Sequence, residues 1–178
     1  ISFLNLNPKS NEIKFCLAEL YHDGQNYEKA LPLYSDLLDE DKENYDLMYN
    51  KALVLHALKN YDESISLYKI LLDKKQDLKI YSNLAAAYIE LGNQTVNKND
   101  NNKAIEYYEE ALKYDASNSN IYLELANLYE KQGLTSKVFE SYERALEINP
   151  DNNAVLIGNT CGMRPTSCGD QLAKAVMS

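Results

Sequence analysis

The sequence predicts an all-α chain built from repeated helix hairpins, and three observations predict it. Only four prolines and six glycines interrupt 178 residues, and three of those glycines lie in the last 21. Apolar residues recur at helical spacing, and strand-like alternation is absent. A small or apolar residue followed four positions later by a tyrosine occurs four times: Ala30 and Tyr34, Ser64 and Tyr68, Ala104 and Tyr108, Val138 and Tyr142. Successive pairs are 34, 40 and 34 residues apart, a period that marks a repeat architecture.

A second landmark lies upstream of each pair, at Tyr21, Leu55, Tyr88 and Tyr129, with spacings of 34, 33 and 41. The two landmarks are nine residues apart in three repeats and sixteen apart in the third, so an insertion of seven residues explains the irregularity. It falls within Gly92–Asn102, a polar, Asn-rich stretch that reads as a surface loop at about residues 93–102. Four repeats follow, at 11–44, 45–77, 78–118 and 119–152.

The ends carry their own signals. Leu4-Asn5-Leu6-Asn7-Pro8 has the form of Leu146-Glu147-Ile148-Asn149-Pro150. Residues 1–10 therefore read as the end of a preceding repeat, and the natural chain is expected to continue N-terminally. Asn153–Ile157 could open a partial capping helix, which Gly158, Gly162 and Pro165 would stop. Residues 154–178 hold no Tyr and no Glu but two of the three cysteines. A non-native tail and a natural flexible linker are both open readings of that shift.

Acidic residues outnumber basic ones 27 to 18, for a formal charge of −9. That disfavours nucleic-acid or anionic-membrane binding, which need positive surface. No apolar run approaches the roughly 20 residues that span a bilayer. Three cysteines are too few and too odd in number for a disulfide framework, so a reducing, cytoplasmic setting is expected. The sequon Asn93-Gln94-Thr95 carries little weight without a secretory signal.

The repeat resembles the tetratricopeptide repeat (TPR). The fourth copy reads Tyr122-x2-Leu125-Ala126-x2-Tyr129, Gly133, Val138-x3-Tyr142, Ala145 and Pro150. The third reads Tyr81-x2-Leu84-Ala85-x2-Tyr88, Gly92, Ala104-x3-Tyr108 and Ala111. The first matches at Ala18, Tyr21, Ala30 and Tyr34, and the second at Ala52, Leu55, Ser64 and Tyr68. Ser64 and Val138 depart from the usual alanine, and no proline closes repeats one to three. The resemblance implies a right-handed superhelical array of antiparallel helix hairpins, a solenoid with a concave groove. Each hairpin is too small to bury its apolar face alone, so neighbours share one core.

Enzyme motifs are missing: no Gly-rich phosphate loop, no Gly-x-Ser-x-Gly and no His-Glu-x-x-His occurs. The chain is expected not to be an enzyme and to need no cofactor or metal. His22 and His56 occupy the same repeat position, and Glu19 and Asp23 lie near His22. Groove-lining polar residues outweigh a metal or pH-sensitive site there. Cys161 and Cys168 lack zinc-ligand spacing and read as plain thiols. Most tyrosines occupy core positions of the repeat.

By the same resemblance, positions two, five, six, nine and twelve of each first helix line the groove. They give Glu12, Phe15, Cys16, Glu19 and His22, then Asp46, Tyr49, Asn50, Leu53 and His56. The third repeat supplies Lys79, Ser82, Asn83, Ala86 and Ile89, and the fourth Asn120, Leu123, Glu124, Asn127 and Glu130. One lysine faces five acids, so the groove is mildly acidic. Some relatives clamp the acidic tails of Hsp70 or Hsp90 with Lys and Asn, then Asn, then Lys and Arg. Here Asn50 and Lys79 match, but Phe15, Glu19 and Asn83 stand at the other three positions. An acidic tail would meet repulsion, so such a co-chaperone role is disfavoured.

The expected function is a protein-protein interaction scaffold. A neutral or basic peptide or helix would lie in the groove. Asn50, Asn83, Asn120 and Asn127 would hold its main chain. Phe15, Tyr49, Leu53 and Leu123 would take its apolar side chains, with Glu19, Lys79 and Glu124 beside them. Self-association within a multisubunit complex is the alternative. Substrate delivery for a larger enzyme is a further one.

Overall fold

The computed structural model describes residues 11–152. The expectations for residues 1–10, for the capping helix from Asn153 and for the tail lie outside the described residues. Among those described there are eight α-helices, no strand and a closing 3-10 turn at Pro150–Asn152. The helices are α1 Asn11–Asp23, α2 Tyr27–Glu40, α3 Tyr45–Ala57, α4 Tyr61–Lys74, α5 Leu78–Asn97, α6 Asn101–Tyr114, α7 Ser119–Lys131 and α8 Thr135–Ile148. They divide into two compact units, the first ending at Gln94 and the second beginning at Thr95.

In the first unit α1 packs on α2, α2 on α3 and α3 on α4. The helices of a hairpin run antiparallel: Asn11, opening α1, donates to Glu40 Oε2 at the end of α2 at 2.7 Å. Small residues set the helix approach. Ala18, Ala30, Ala52 and Ser64 are all fully buried, as are Tyr34 and Tyr68, whose rings fill the space beside them. Ser64 replaces alanine without leaving an orphan polar atom, because its Oγ donates to the Ala52 carbonyl at 2.8 Å. That bond crosses from α4 to α3. The α5 stripe Ile80, Leu84, Ala87 and Leu91 is buried at a spacing of four, three and four.

In the second unit α6 packs on α7 and α7 on α8. Ala104, Ala111, Ala126 and Ala145 are fully buried, with Tyr108 and Leu125 nearly so. Burying one such large side chain contributes about 1.5–3 kcal/mol before conformational entropy is counted.

Four equivalent turns join the first and second helix of each hairpin. Gln25, Lys59, Asn99 and Gly133 all have positive φ, between 57° and 71°. Around them the bonds repeat: Gln25 N–H to His22 and Asn26 N–H to Tyr21, then Lys59 to His56 and Asn60 to Leu55. The later copies are Asn99 to Val96 with Asp100 to Thr95, and Gly133 to Glu130 with Leu134 to Tyr129. This is the Schellman closure, which satisfies the last helical carbonyls and favours glycine at the left-handed residue. Only one copy supplies a glycine.

The third repeat corrects the loop reading. Residues 93–97 belong to α5, the turn is Lys98–Asp100, and α6 begins at Asn101. Seven residues make about two helical turns, so the insertion lengthens the helix and keeps its buried stripe in phase. Leu91 and Thr95 continue that stripe at 8% exposure each, while Asn93 and Asn97 face outward. Gly92 is consequently a buried helix residue, and Asn99 closes the turn. The sequon Asn93-Gln94-Thr95 is helical too, with its threonine buried.

Candidate groove-face binding site

Within the first unit, the expected binding residues sit on three first helices. Phe15 and Glu19 lie on α1, Tyr49, Asn50 and Leu53 on α3, and Lys79 and Asn83 on α5. Phe15, Tyr49, Asn50, Leu53 and Asn83 are half-buried, while Glu19 and Lys79 are exposed. Half-burial of polar and apolar side chains together makes a surface that can take both main-chain and side-chain contacts.

The structure brings two of them into direct contact. Asn83 Nδ2 donates to the Tyr49 hydroxyl oxygen at 3.2 Å, linking α5 to α3. Tyr49 accepts in this bond, so its own proton can be donated outward, and Asn83 keeps its amide oxygen. The Tyr49 ring lies 6.4 Å from that of buried Tyr68, tilted by 57°. Asn50 makes no side-chain hydrogen bond among the described residues, so both halves of its amide remain for a ligand. No side-chain hydrogen bond or ion pair joins Glu19 or Lys79 to this pair among the described residues. The backbone N–H of Lys79 donates to Asp77 Oδ1 at 2.9 Å, which fixes the start of α5.

The α1 end of the site is built on Tyr34. Phe15 meets its ring edge-on at 6.4 Å, and His22 does so at 6.2 Å. Burial, with Glu19 and Asp23 adding to it, pushes the Tyr34 hydroxyl up to about 12. That hydroxyl is buried and makes no hydrogen bond among the described residues. His22 also meets Tyr27 edge-on at 5.8 Å, and His56 meets Tyr61 in the same way at 5.2 Å. The two histidines thus share one packing role, each against the first residue of the following helix. Burial lowers the His56 pKa, and Glu90 on α5 opposes that shift.

A cleft that the repeat positions reveal only in part opens where the starts of α1 and α3 meet the end of α2. It encloses about 470 Å³ and is lined by Phe15, Leu37 and Leu47 with Glu12, Glu40, Asp41 and Asp46. Glu12 and Asp46 were legible as groove positions. Glu40 and Asp41 were not, because they come from the second helix and the turn after it.

The remaining candidates lie on α7 in the second unit. Leu123 and Asn127 are half-buried, and Asn120 and Glu124 are exposed. The backbone N–H of Asn120 donates to Asn118 Oδ1 at 3.2 Å, which caps the helix. No hydrogen bond or ring contact links these four side chains to one another among the described residues. A separate pocket of about 370 Å³ opens beside α6, α7 and α8. There the Tyr129 hydroxyl donates to Glu109 Oε1 at 2.6 Å, and Lys137 lies 4.8 Å over the Tyr129 ring.

Two further observations bear on function. No helix among the described residues is long and apolar enough to cross a membrane. Among the same residues, no three His, Cys, Asp or Glu side chains gather as a metal site would need.

Comparison with known proteins gives a consistent family result. Tetratricopeptide repeat models match residues 6–78 and 119–152, and a TPR repeat model matches residues 92–133. Solved structures of MamA are similar in fold. One crystal structure is 19% identical, with 84% of each chain covered and a TM-score of 0.52. A second, titled MamA MSR-1 C2, is 15% identical over 83% of this chain and 81% of its own, with a TM-score of 0.55. MamA from Desulfovibrio magneticus RS-1 is 15% identical, covering 80% and 77%, with a TM-score of 0.51. At these identities the likeness is one of fold. No curated protein matches the sequence.

Proposed function

Because this chain belongs to the tetratricopeptide repeat family, we propose that it is a protein-interaction module that binds a peptide or helix of a partner protein. The binding surface in this reading is the α1, α3 and α5 face of the first unit. The supporting observation is the half-buried cluster of Tyr49, Asn50, Leu53 and Asn83, in which the Asn83–Tyr49 bond holds two helices in register. The cluster offers a hydroxyl donor, amide groups and an apolar side chain within one surface. Asn120, Leu123, Glu124 and Asn127 extend the reading to α7 as a second contact surface. The ligand in this reading is neutral or basic, in keeping with the chain's charge of −9. The role is binding without catalysis, and the odd cysteine count supports a reducing, cytoplasmic setting.

The clamp for acidic chaperone tails is not part of the proposal. Asn83 stands where that clamp needs an arginine, and one N–H of its amide is already given to Tyr49.

A quantitative pull-down tests the proposal, with the wild type beside an Asn50→Ala/Asn83→Ala variant of unchanged helicity. The expected result is a partner retained by the wild type and lost by the variant. Equal retention by both would remove the groove face from the interaction.

Self-assembly is the second reading, and exposed Leu20 on α1 and Leu78 on α5, at 69% and 83%, are the apolar side chains it would cover. Sedimentation over a concentration series tests it, and a concentration-independent monomer would count against it.

A further inference from the structure

We infer that the cleft between α1, α2 and α3 receives a lysine or arginine side chain of the bound peptide. The inference rests on the peptide-binding reading above and names the chemistry of the ligand at one position.

The cleft is an apolar groove with a charged rim. Phe15 forms its floor together with Leu37 and Leu47, which are 4% and 6% exposed. Its volume of about 470 Å³ lies within the range of ligand pockets. It is therefore large enough for one long side chain, and its floor suits the methylene stem of a basic residue.

The rim selects the sign of the occupant. Two of its four carboxylates are already engaged. Glu40 accepts from Asn11 at 2.7 Å and lies 3.6 Å from the Lys14 Nζ. Asp41 accepts from Asn44 Nδ2 at 3.0 Å. Glu12 and Asp46 are exposed and have no cation beside them among the described residues. They occupy the same position in successive repeats, one on α1 and one on α3, and border the cleft from both helices. Each also complements the N-terminus of its own helix, which accounts for an acid in each first turn. That role does not account for the open apolar floor between them. A carboxylate ligand would be repelled here, and a neutral one would leave both acids without a partner. A cationic head with an aliphatic stem satisfies floor and rim together.

The test is a ¹⁵N NMR titration of the whole chain with the synthetic peptide Leu-Arg-Leu-Arg-Leu-Arg, blocked at both ends. Matched Leu-Glu and Leu-Gln peptides serve as controls. Shifts at Phe15, Asp46 and Leu47, with binding weakened about tenfold or more in Glu12→Gln/Asp46→Asn, support the inference. An Asp36→Asn/Asp39→Asn variant removes equal charge from the exposed side of α2 and is expected to bind within about twofold of the wild type. Thermal melts check that each variant folds. Equal loss in both charge variants would show unspecific attraction to an acidic protein and overturn the inference. Unchanged affinity in the cleft variant, or no shift at the cleft, would also overturn it. The Asn50→Ala/Asn83→Ala variant separates the two readings. If it alone weakens binding, the groove stands and the cleft fails; if the cleft variant alone does so, the groove reading fails.

Discussion

Asn83 on α5 donates its amide to the hydroxyl of Tyr49 on α3, 34 residues earlier. One full repeat separates them, so the bond ties consecutive first helices together at the surface proposed for binding. Its free energy is measurable by a double-mutant cycle of Tyr49→Phe and Asn83→Ala in urea. A coupling of about 0.5–1.5 kcal/mol is expected for a half-buried neutral hydrogen bond. Zero coupling would mean that the two side chains act independently.

Ser64 tests how the core tolerates departure from alanine. Its hydroxyl is fully buried and bonded to the Ala52 carbonyl. Ser64→Ala removes donor and desolvation cost together, so stability is expected to change by less than about 1 kcal/mol. Ser64→Val adds volume at a fully buried position and is expected to destabilise by about 1–3 kcal/mol. Chemical denaturation of both variants checks the contrast.

The hairpin turns predict opposite effects for opposite substitutions. Lys59 has a φ of 63°, which costs a side-chain-bearing residue about 1 kcal/mol. Lys59→Gly is expected to stabilise by up to that amount. Gly133 has a φ of 71° with nothing within 4 Å of an added Cβ. Gly133→Ala is expected to destabilise by about 1 kcal/mol through backbone strain alone. Thermal melts of the two variants should shift in opposite directions.

Alkaline stability draws on buried tyrosines, Tyr34, Tyr68 and Tyr129 foremost, each raised chiefly by burial. Burial pushes Tyr34 and Tyr68 up to about 12 in the folded chain, against an ordinary value of 10.0. A raised folded value means that stability is fully present below pH 10 and falls as pH rises toward 12. The two groups together give a slope of about 2.7 kcal/mol per pH unit in that window. Tyr34→Phe is expected to lower the slope by one group's share, about 1.4 kcal/mol per pH unit. It should also stabilise the fold at neutral pH, because the deleted hydroxyl is buried without a partner. Urea midpoints at pH 8, 10 and 11 check both effects.

Much of the helical framework was legible because the small residues and rings that form its core are themselves periodic. Ala18, Ala52, Ala85 and Ala126 mark the close approaches, and Tyr34, Tyr68 and Tyr108 mark the spaces filled beside them. The insertion was misread because its Asn-rich composition resembles a loop. Its structure was set instead by Leu91 and Thr95, four residues apart on one face. A seven-residue insertion preserves helical phase, and composition does not reveal that. The pairing of Tyr49 with Asn83 was legible only as shared groove membership. The hydrogen bond depends on the distance between α3 and α5. The acidic cleft was half legible, since Glu40 and Asp41 reach it from a helix end that the first-helix positions do not include.

Groove-face binding is open to site-specific photo-crosslinking. A benzophenone amino acid replaces Leu53 on the α3 face in one variant and exposed Asp36 on α2 in another. One discrete crosslinked partner is expected from position 53 and none from position 36, with the product lost when Asn50→Ala/Asn83→Ala is added. The same partner crosslinking equally from position 36, or persisting in the combined variant, would contradict groove-face binding.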